Sequence, residues 1–243
     1  MISISVISHG HGQMVSNVVS QLLQFPEVSE IFVIKNIPEK LYLPPSEKII
    51  LIENVKPAGF GHNHNYVFNF IKNSYFCPLN PDVIFDANPF PTLLKSASFF
   101  EADLVAPLIL NSAGNIEDSA RNFPSFRSLI NKFIGEVSCE YESLACEEIL
   151  YPDWIAGMFM LFRADTFRLL GGFDERYFLY YEDVDICTRL WANGFKLLVN
   201  SSVSVIHDAR RTSHSSVRYA SWHLASMFRY FLTHWGRLPT KKL

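Results

Sequence analysis

Three carboxylates, Glu182, Asp183 and Asp185, close the run Phe178-Leu179-Tyr180-Tyr181-Glu182-Asp183-Val184-Asp185, whose first four residues are aromatic or aliphatic. An ionised carboxylate beside apolar rings loses solvation, and its pKa rises toward values suited to taking a proton at neutral pH. The run is therefore a candidate general base. It is equally a good first turn of a helix, because acids stabilise the positive end of the macrodipole and Ile186, Leu190 and Trp191 continue as an apolar stripe. The two readings are compatible.

Asp82 is a second candidate. It follows the short apolar run Tyr75–Leu79 in Asn80-Pro81-Asp82-Val83, and in alternating α/β chains ligands sit beyond the carboxyl ends of strands. His207 ends a late apolar run and could ligate a divalent metal held by a distant aspartate. Spacing alone does not join it to Asp82. Two glycine-bearing stretches add possible ligand contacts. His9-Gly10-His11-Gly12 lacks the GxGxxG dinucleotide fingerprint, although a glycine loop ahead of a helix still lets phosphate approach. Gly59-Phe60-Gly61-His62-Asn63-His64-Asn65 gathers small residues and amides at a helix start, which suits a phosphate or sugar and suits helix capping just as well.

The elements that must position these residues are legible from periodicity. Met1–Ser8 alternates as a strand and is followed by a helix with Val15, Val18, Val19, Leu22 and Leu23 on one face. Glu30–Ile34 and Lys48–Glu53 read as further strands, and Val67, Phe68, Phe70 and Ile71 as a second helix. Alternation continues to about residue 110, which predicts an α/β fold with a mostly parallel sheet covered on both faces. From Arg121-Asn122-Phe123-Pro124 to about residue 150 no period is clear, so this reads as a flexible or substrate-facing insertion. Trp154–Phe162 reads as one buried strand containing Gly157, Gly171-Gly172 as a helix end, and Lys196–Asn200 and Val203–Ile206 as two late strands.

The chain has 243 residues, 49% of them hydrophobic, enough for a substantial core. No apolar run approaches the roughly 18 residues of a membrane span, and the start lacks the pattern of a signal peptide, so the expected compartment is the cytoplasm. Cys77, Cys139, Cys146 and Cys187 have no CxxC spacing and are expected as reduced thiols. Net charge is −3, with no composition suggesting nucleic acid as a partner. Its distribution is uneven: seven Lys or Arg and no acid follow Asp208, leaving 14 basic and 24 acidic groups on residues 1–208. A basic tail on an acidic body predicts an anionic surface as partner.

Taken in order, Ser8-His9-Gly10-His11, Gly59 to Asn65, Asn80-Pro81-Asp82, Arg121-Asn122-Phe123-Pro124, Asp153-Trp154-Ile155-Ala156-Gly157, Gly172-Phe173-Asp174-Glu175, Glu182-Asp183-Val184-Asp185 and His207 resemble the inverting family 2 glycosyltransferases. Within that family they resemble the bacterial rhamnosyltransferases of the WbbL type. The resemblance spans nearly the whole chain and implies a GT-A fold over residues 1–208, Rossmann-like, with a helical extension over 209–243. It implies Asp183 as base, beside Glu182, and a divalent cation (Mg²⁺ or Mn²⁺) held by Asp82 and His207 that stabilises the leaving diphosphate. His9, Asn36, Gly59, Gly61, Asn65, Asn80, Asp82 and Arg121 would bind the nucleotide-sugar donor. Trp154, Gly157 and Asp185 would face a lipid-linked saccharide acceptor, whose diphosphate could pair with Arg210 or Arg211.

Two departures stand out: Lys35-Asn36 where the family often has Asp-Asn to read the nucleobase, and one carboxylate in Asn80-Pro81-Asp82 where two are usual. The implied reaction is transfer of L-rhamnose from dTDP-L-rhamnose during O-antigen or other surface polysaccharide assembly. UDP-galactose or UDP-glucose as donor, or a non-catalytic nucleotide-sugar-binding subunit, are the alternatives. In the tail, Val217, Ala220, Leu224, Met227, Phe228, Phe231 and Trp235 recur at helical spacing. With Arg210, Arg211, Arg237, Lys241 and Lys242 they predict a helix that packs on the domain or lies peripherally on the inner face of an anionic membrane.

Overall fold

The computed structural model describes residues 1–124, 147–208 and 217–241. Its centre is a sheet of β1 (Ile2–Ser8), β2 (Val28–Lys35), β3 (Ile49–Glu53), β4 (Tyr75–Leu79), β5 (Val83–Ile84), β6 (Leu104–Asn111), β10 (Leu161–Arg163) and β11 (Leu197–His207), in the order β3-β2-β1-β4-β10-β6-β11-β5. The β3-β2-β1-β4 block and the β6-β11 pair are parallel, while β10 runs antiparallel between β4 and β6. The chain grows one way from β1 to β2 and β3 and the other way to β4. That reversal leaves a crevice beyond the carboxyl ends of β1 and β4, where Ser8-His9 and Asn80-Pro81-Asp82 emerge.

Helices cover both faces. On one side α1 (Gln13–Leu22) and α3 (Phe90–Phe99) bury Val15, Val19, Leu22, Phe90 and Leu93 against Ile4, Val6 and Ile31. On the other, α2 (Phe60–Phe68), α4 (Ala164–Leu169) and α5 (Glu182–Ala192) bury Val67, Phe167, Ile186 and Leu190 against Phe76 and Phe162. Because both faces are covered, the serines of β1 are buried with its isoleucines. Two of them are satisfied by side chains: Ser3 Oγ donates to Glu30 at 2.6 Å, and Ser5 Oγ meets His64 Nδ1 at 2.8 Å. Burial drives the His64 pKa down to about 3, so its ring is neutral packing.

Several expected elements differ. Trp154–Phe162 is broken: β9 (Trp154–Ile155) pairs with β7 (Ala120–Arg121) in a separate ribbon, and the chain rejoins the main sheet beyond Gly157, first by bonds of Met158 and Met160 to Asn80 and Pro78 and then as β10 (Leu161–Arg163). The break falls at Gly157, whose amide donates to the Asp183 carboxylate at the start of a later helix, as described below. The two late strands are one, β11, with a register irregularity between Asn200 and Ser204. Asn200 Oδ1 accepts the Ser202 amide and hydroxyl at 2.8 and 2.6 Å, so the irregularity is capped internally. β8 (Ile149–Leu150) pairs with this strand. Helix α2 ends at Phe68, before Phe70 and Ile71, and has no side-chain cap; the Phe60 amide donates instead to Phe178 O at 3.0 Å.

The C-terminal helix α6 (Val217–His234) packs on the domain through a face other than the one expected. Trp222 stacks on Phe178 with ring centres 4.7 Å apart, Ser226 Oγ donates to Leu179 O at 2.9 Å, and Tyr230 OH meets Thr188 Oγ1 at 2.8 Å. Leu224, Phe228 and Trp235 of the expected packing stripe instead point outward, 58%, 66% and 65% exposed. Polar atoms spaced four residues apart find partners on the domain, and this fixes which side of the helix turns inward. Of the cysteines, Cys77 and Cys187 are free and buried, and Cys139 and Cys146 lie outside the described residues.

Candidate active site

Helix α5 begins after two consecutive residues in left-handed conformation, Tyr180 (φ 69°) and Tyr181 (φ 66°). Aromatic residues adopt this conformation only when their surroundings impose it. Here Tyr181 packs on Tyr230 and both tyrosines on His223 of α6. This turn separates the three carboxylates. Glu182 and Asp185 are buried, 4% and 1% exposed, while Asp183 keeps partial access to solvent. Asp183 Oδ2 accepts the Gly157 amide at 3.0 Å and Oδ1 accepts the Val184 amide at 2.9 Å, so the carboxylate is aimed by backbone donors. Burial raises its pKa above the usual aspartate range, partly offset by those amides and by Arg121.

The other two carboxylates have different surroundings. Burial, and the charge of Asp183 beside it, push Glu182 well above the ordinary glutamate range, and its Oε2 makes no hydrogen bond. A neutral carboxyl is a weaker proton acceptor than an ionised one, so the upward direction favours Asp183 over Glu182 as a candidate base. Asp185, expected at the acceptor, is held by Arg189 Nε at 2.7 Å and His234 Nε2 at 2.8 Å, inside the seam between α5 and α6. It fastens the C-terminal helix.

Asp82 and His207, 125 positions apart, come together because β5 and β11 pair antiparallel, with His207 opposite Val83. His207 Nε2 lies 3.3 Å from Asp82 Oδ1, and the Asp208 amide donates to Asp82 O at 2.9 Å. Asp82 Oδ1 is buried without a hydrogen bond among the described residues. An orphaned hard oxygen facing an imidazole nitrogen fits a divalent cation, with the remaining positions left for diphosphate and water. Among the described residues no three His, Cys, Asp or Glu side chains form a cage that could hold a metal alone. The imidazole is desolvated, which lowers its pKa, but Asp82 and the unanticipated Glu117, 2.9 Å from Nδ1, outweigh this and raise it. Periodicity carried no signal for Glu117.

The two centres are joined by backbone. The Asn80 amide donates to Met158 O at 2.9 Å, and Met158 follows the Gly157 that holds Asp183. Arg121 borders Asp183 electrostatically; its guanidinium lies 5.2 Å from the Trp154 ring centre, with Nε on Asp118 at 2.7 Å. Trp154 itself is 9% exposed and donates from Nε1 to Asn122 O, so little of it is open to an acceptor.

At the other end of the crevice, buried Asn36 is a hub: its Nδ2 bonds Ala58 O at 3.0 Å and meets His9 Nδ1 at 3.1 Å, and its Oδ1 accepts from Asn54, Ala58 and Asn63. Lys35 is paired with Glu53 at 2.7 Å, on the wall of a cavity of about 390 Å³ also lined by Ile37, Glu39 and Asn54. The amides of Gly10 and Gly12 are both taken by the Glu39 carboxylate at 3.0 Å, so that loop is not an open phosphate cradle.

Three residues expected to line the donor site have packing roles. A Cβ on Gly59 would meet Phe178 O at 2.7 Å, and one on Gly61 would meet Phe173 Cβ at 2.7 Å. These glycines let α2 touch the segment leading to Asp183. Asn65 spends both ends of its amide on Phe173 and Glu175. Arg210 and Arg211 lie outside the described residues.

A parallel sheet reversing at β1, an aspartate just past β4, a histidine at the end of β11 and a backbone-aimed carboxylate at a helix start define a glycosyltransferase of the GT-A fold. GalNAc-T7, solved with UDP, GalNAc and Mn²⁺, superposes with TM-score 0.69 at 17% identity, covering 96% of this chain and 47% of that one. Mannosyltransferase PcManGT from Pyrobaculum calidifontis, solved with GDP-Man and Mn²⁺, gives 0.62 at 12% identity, covering 96% and 64%. No family model matches. Rhamnosyltransferase WbbL of Escherichia coli K12 is 31% identical over 245 residues, 95% of this chain and 92% of that one. The chain belongs to the family of that enzyme. It is also 34% identical over 156 residues to the N-acetylglucosaminyl-diphospho-decaprenol L-rhamnosyltransferase of Mycobacterium tuberculosis H37Rv, covering 60% of this chain and half of that longer one.

Proposed function

We propose that this glycosyltransferase moves L-rhamnose from dTDP-L-rhamnose to a lipid-diphosphate-linked saccharide in surface polysaccharide assembly, with inversion at the anomeric carbon. The observation that carries the reading is the aim of Asp183: it is the solvent-reaching member of the carboxylate run, fixed by Gly157 and Val184 amides and tied through Met158 and Asn80 to Asp82. The names of the two rhamnosyltransferase relatives support the sugar and the lipid-linked acceptor.

In this reading Asp183 accepts the proton of the acceptor hydroxyl as its oxygen attacks the anomeric carbon opposite the diphosphate. Gly157 and Val184 hold the carboxylate in line, and burial raises the pKa of Glu182 beside it. Asp82 and His207 would hold a divalent cation, Mg²⁺ or Mn²⁺, which when bound offsets the charge growing on the leaving diphosphate. The part of Arg121 not engaged by Asp118 is available to a diphosphate oxygen. The Lys35–Glu53 pair presents a donor beside an acceptor at the nucleobase end, suiting a thymine or uracil edge, so UDP-galactose and UDP-glucose are the competing donors.

The acceptor reading places the enzyme at an anionic membrane surface. Among the described residues no helix is long and apolar enough to cross a membrane. Leu224, Phe228 and Leu232 instead give α6 an outward apolar stripe suited to the lipid interface, with exposed Trp235 just past its end. The described cations contribute less than their number suggested. Lys241 pairs with Asp153 at 2.9 Å, Arg218 stacks 4.7 Å from the Trp222 ring, and Arg229 reaches Arg176 O.

Incubating the protein with Mn²⁺, a polyprenyl-diphospho-N-acetylglucosamine and each of dTDP-rhamnose, UDP-galactose and UDP-glucose tests the reading. Rhamnosylated lipid of inverted anomeric configuration, with release of dTDP, is expected. Turnover of a UDP-sugar alone would replace the donor, and binding without turnover of any would leave a non-catalytic subunit.

A further inference from the structure

We propose that Glu117 is a positioning residue for the cation site: it holds the His207 ring by Nδ1 so that Nε2 is presented beside Asp82. The inference rests on the reading of Asp82 and His207 as cation ligands.

Glu117 Oε2 lies 2.9 Å from Nδ1, and Asp82 Oδ1 lies 3.3 Å from Nε2, on the other side of the same imidazole. An ionised carboxylate can only accept, so a hydrogen bond to Glu117 keeps a proton on Nδ1 and leaves Nε2 as the nitrogen for a cation. The ring is otherwise enclosed: His207 is 7% exposed, and its backbone is clamped between Asn111 of β6 and Val83 of β5.

Glu117 is itself held rigidly. Its amide donates to Ile109 O at 2.8 Å and its carbonyl accepts from Ser119 at 2.8 Å. The turn before it is closed by Asn111 Oδ1, which accepts the amides of Ala113 and Asn115 at 2.9 and 3.0 Å. A carboxylate on such a hairpin, aimed at the far nitrogen of a candidate ligand, has the geometry of a carboxylate–histidine–metal relay. It is not a third ligand, since Asp82 and Glu117 approach opposite nitrogens. Because only these two ligands are offered among the described residues, the orientation of one of them weighs heavily on affinity.

The test is Mn²⁺ binding followed by electron paramagnetic resonance of free Mn²⁺, with dTDP present, for the wild type and for Glu117→Ala, Glu117→Met and Glu117→Gln. Loss of such a partner typically costs about 10- to 100-fold in metal affinity, and this is expected for the Ala and Met variants. The Gln variant, whose amide oxygen can still accept from Nδ1, should lose less, and excess Mn²⁺ should recover the activity lost in all three. Met matches the length of Glu, so it reports even where Ala disturbs the hairpin. Asp82→Asn and His207→Ala serve as references. If these two lose Mn²⁺ while the Ala and Met variants bind within twofold of wild type, Glu117 has no positioning role and the cation reading stands. If Asp82→Asn and His207→Ala also bind normally, the cation reading itself fails and the proposal fails with it.

Discussion

The Gly157 amide donates to Asp183 Oδ2 at 3.0 Å, and the place where a Cβ on residue 157 would sit is already bordered by the Phe60 ring at 3.2 Å. Gly157→Ala must therefore push Phe60 by a few tenths of an ångström or shift the amide that aims the base. Misplacement of about 1 Å can cost 10²-fold in rate, so a smaller displacement here should cut kcat by about tenfold while leaving donor affinity near normal. Steady-state kinetics beside calorimetric dTDP binding separates the two.

Asp183→Asn keeps the shape but removes the proton acceptor, and a positioned base contributes about 10² to 10⁴ in rate. Glu182→Gln should be milder, because burial raises the Glu182 pKa and its Oε2 makes no hydrogen bond among the described residues, so the neutral amide fits the same apolar setting. The opposite ranking would move the base to Glu182.

The pH profile should carry the same signature. Burial raises the Asp183 pKa, and the base works only when ionised, so kcat/KM should fall as pH drops through a value above the ordinary aspartate range. An acid limb at or below the range of a solvated aspartate would contradict the buried setting, provided the protein stays folded by circular dichroism.

Tyr230 is fully buried in the cluster that contains Ile186 and Leu190. Replacing it with Ala should cost about 3–5 kcal/mol of stability, as for other large buried aromatic side chains. Thermal unfolding measures that loss. The milder His234→Ala should lower kcat as well as stability, because it loosens the helix that braces Tyr180 and Tyr181 ahead of Asp183.

Changing Leu224, Phe228 and Leu232 together to Ser should abolish sedimentation with vesicles containing anionic lipid, since 58–66% of each side chain faces outward. Activity on a short-chain, water-soluble acceptor should survive. Undiminished sedimentation would show that another surface meets the bilayer.

The alternation of β1, the apolar faces of α1 and α5 and the carboxylates at the start of α5 were legible in the sequence, because local periodicity and end effects set them. Motif order identified the family and singled out Asp183, Asp82 and His207. Tertiary structure alone decided which carboxylate reaches solvent. Glu182, Asp183 and Asp185 are chemically alike, and their roles diverge only when packing buries one unpaired, aims one at Gly157 and locks one between Arg189 and His234. It also assigned Gly59, Gly61 and Asn65 to packing, through contacts with residues 173–178, and turned Leu224, Phe228 and Leu232 of α6 outward, through contacts with residues 178–188, and neither set of contacts is local in sequence. Glu117 had no sequence signal for the same reason: its partner lies 90 positions on, and only the pairing of β6 with β11 brings them together.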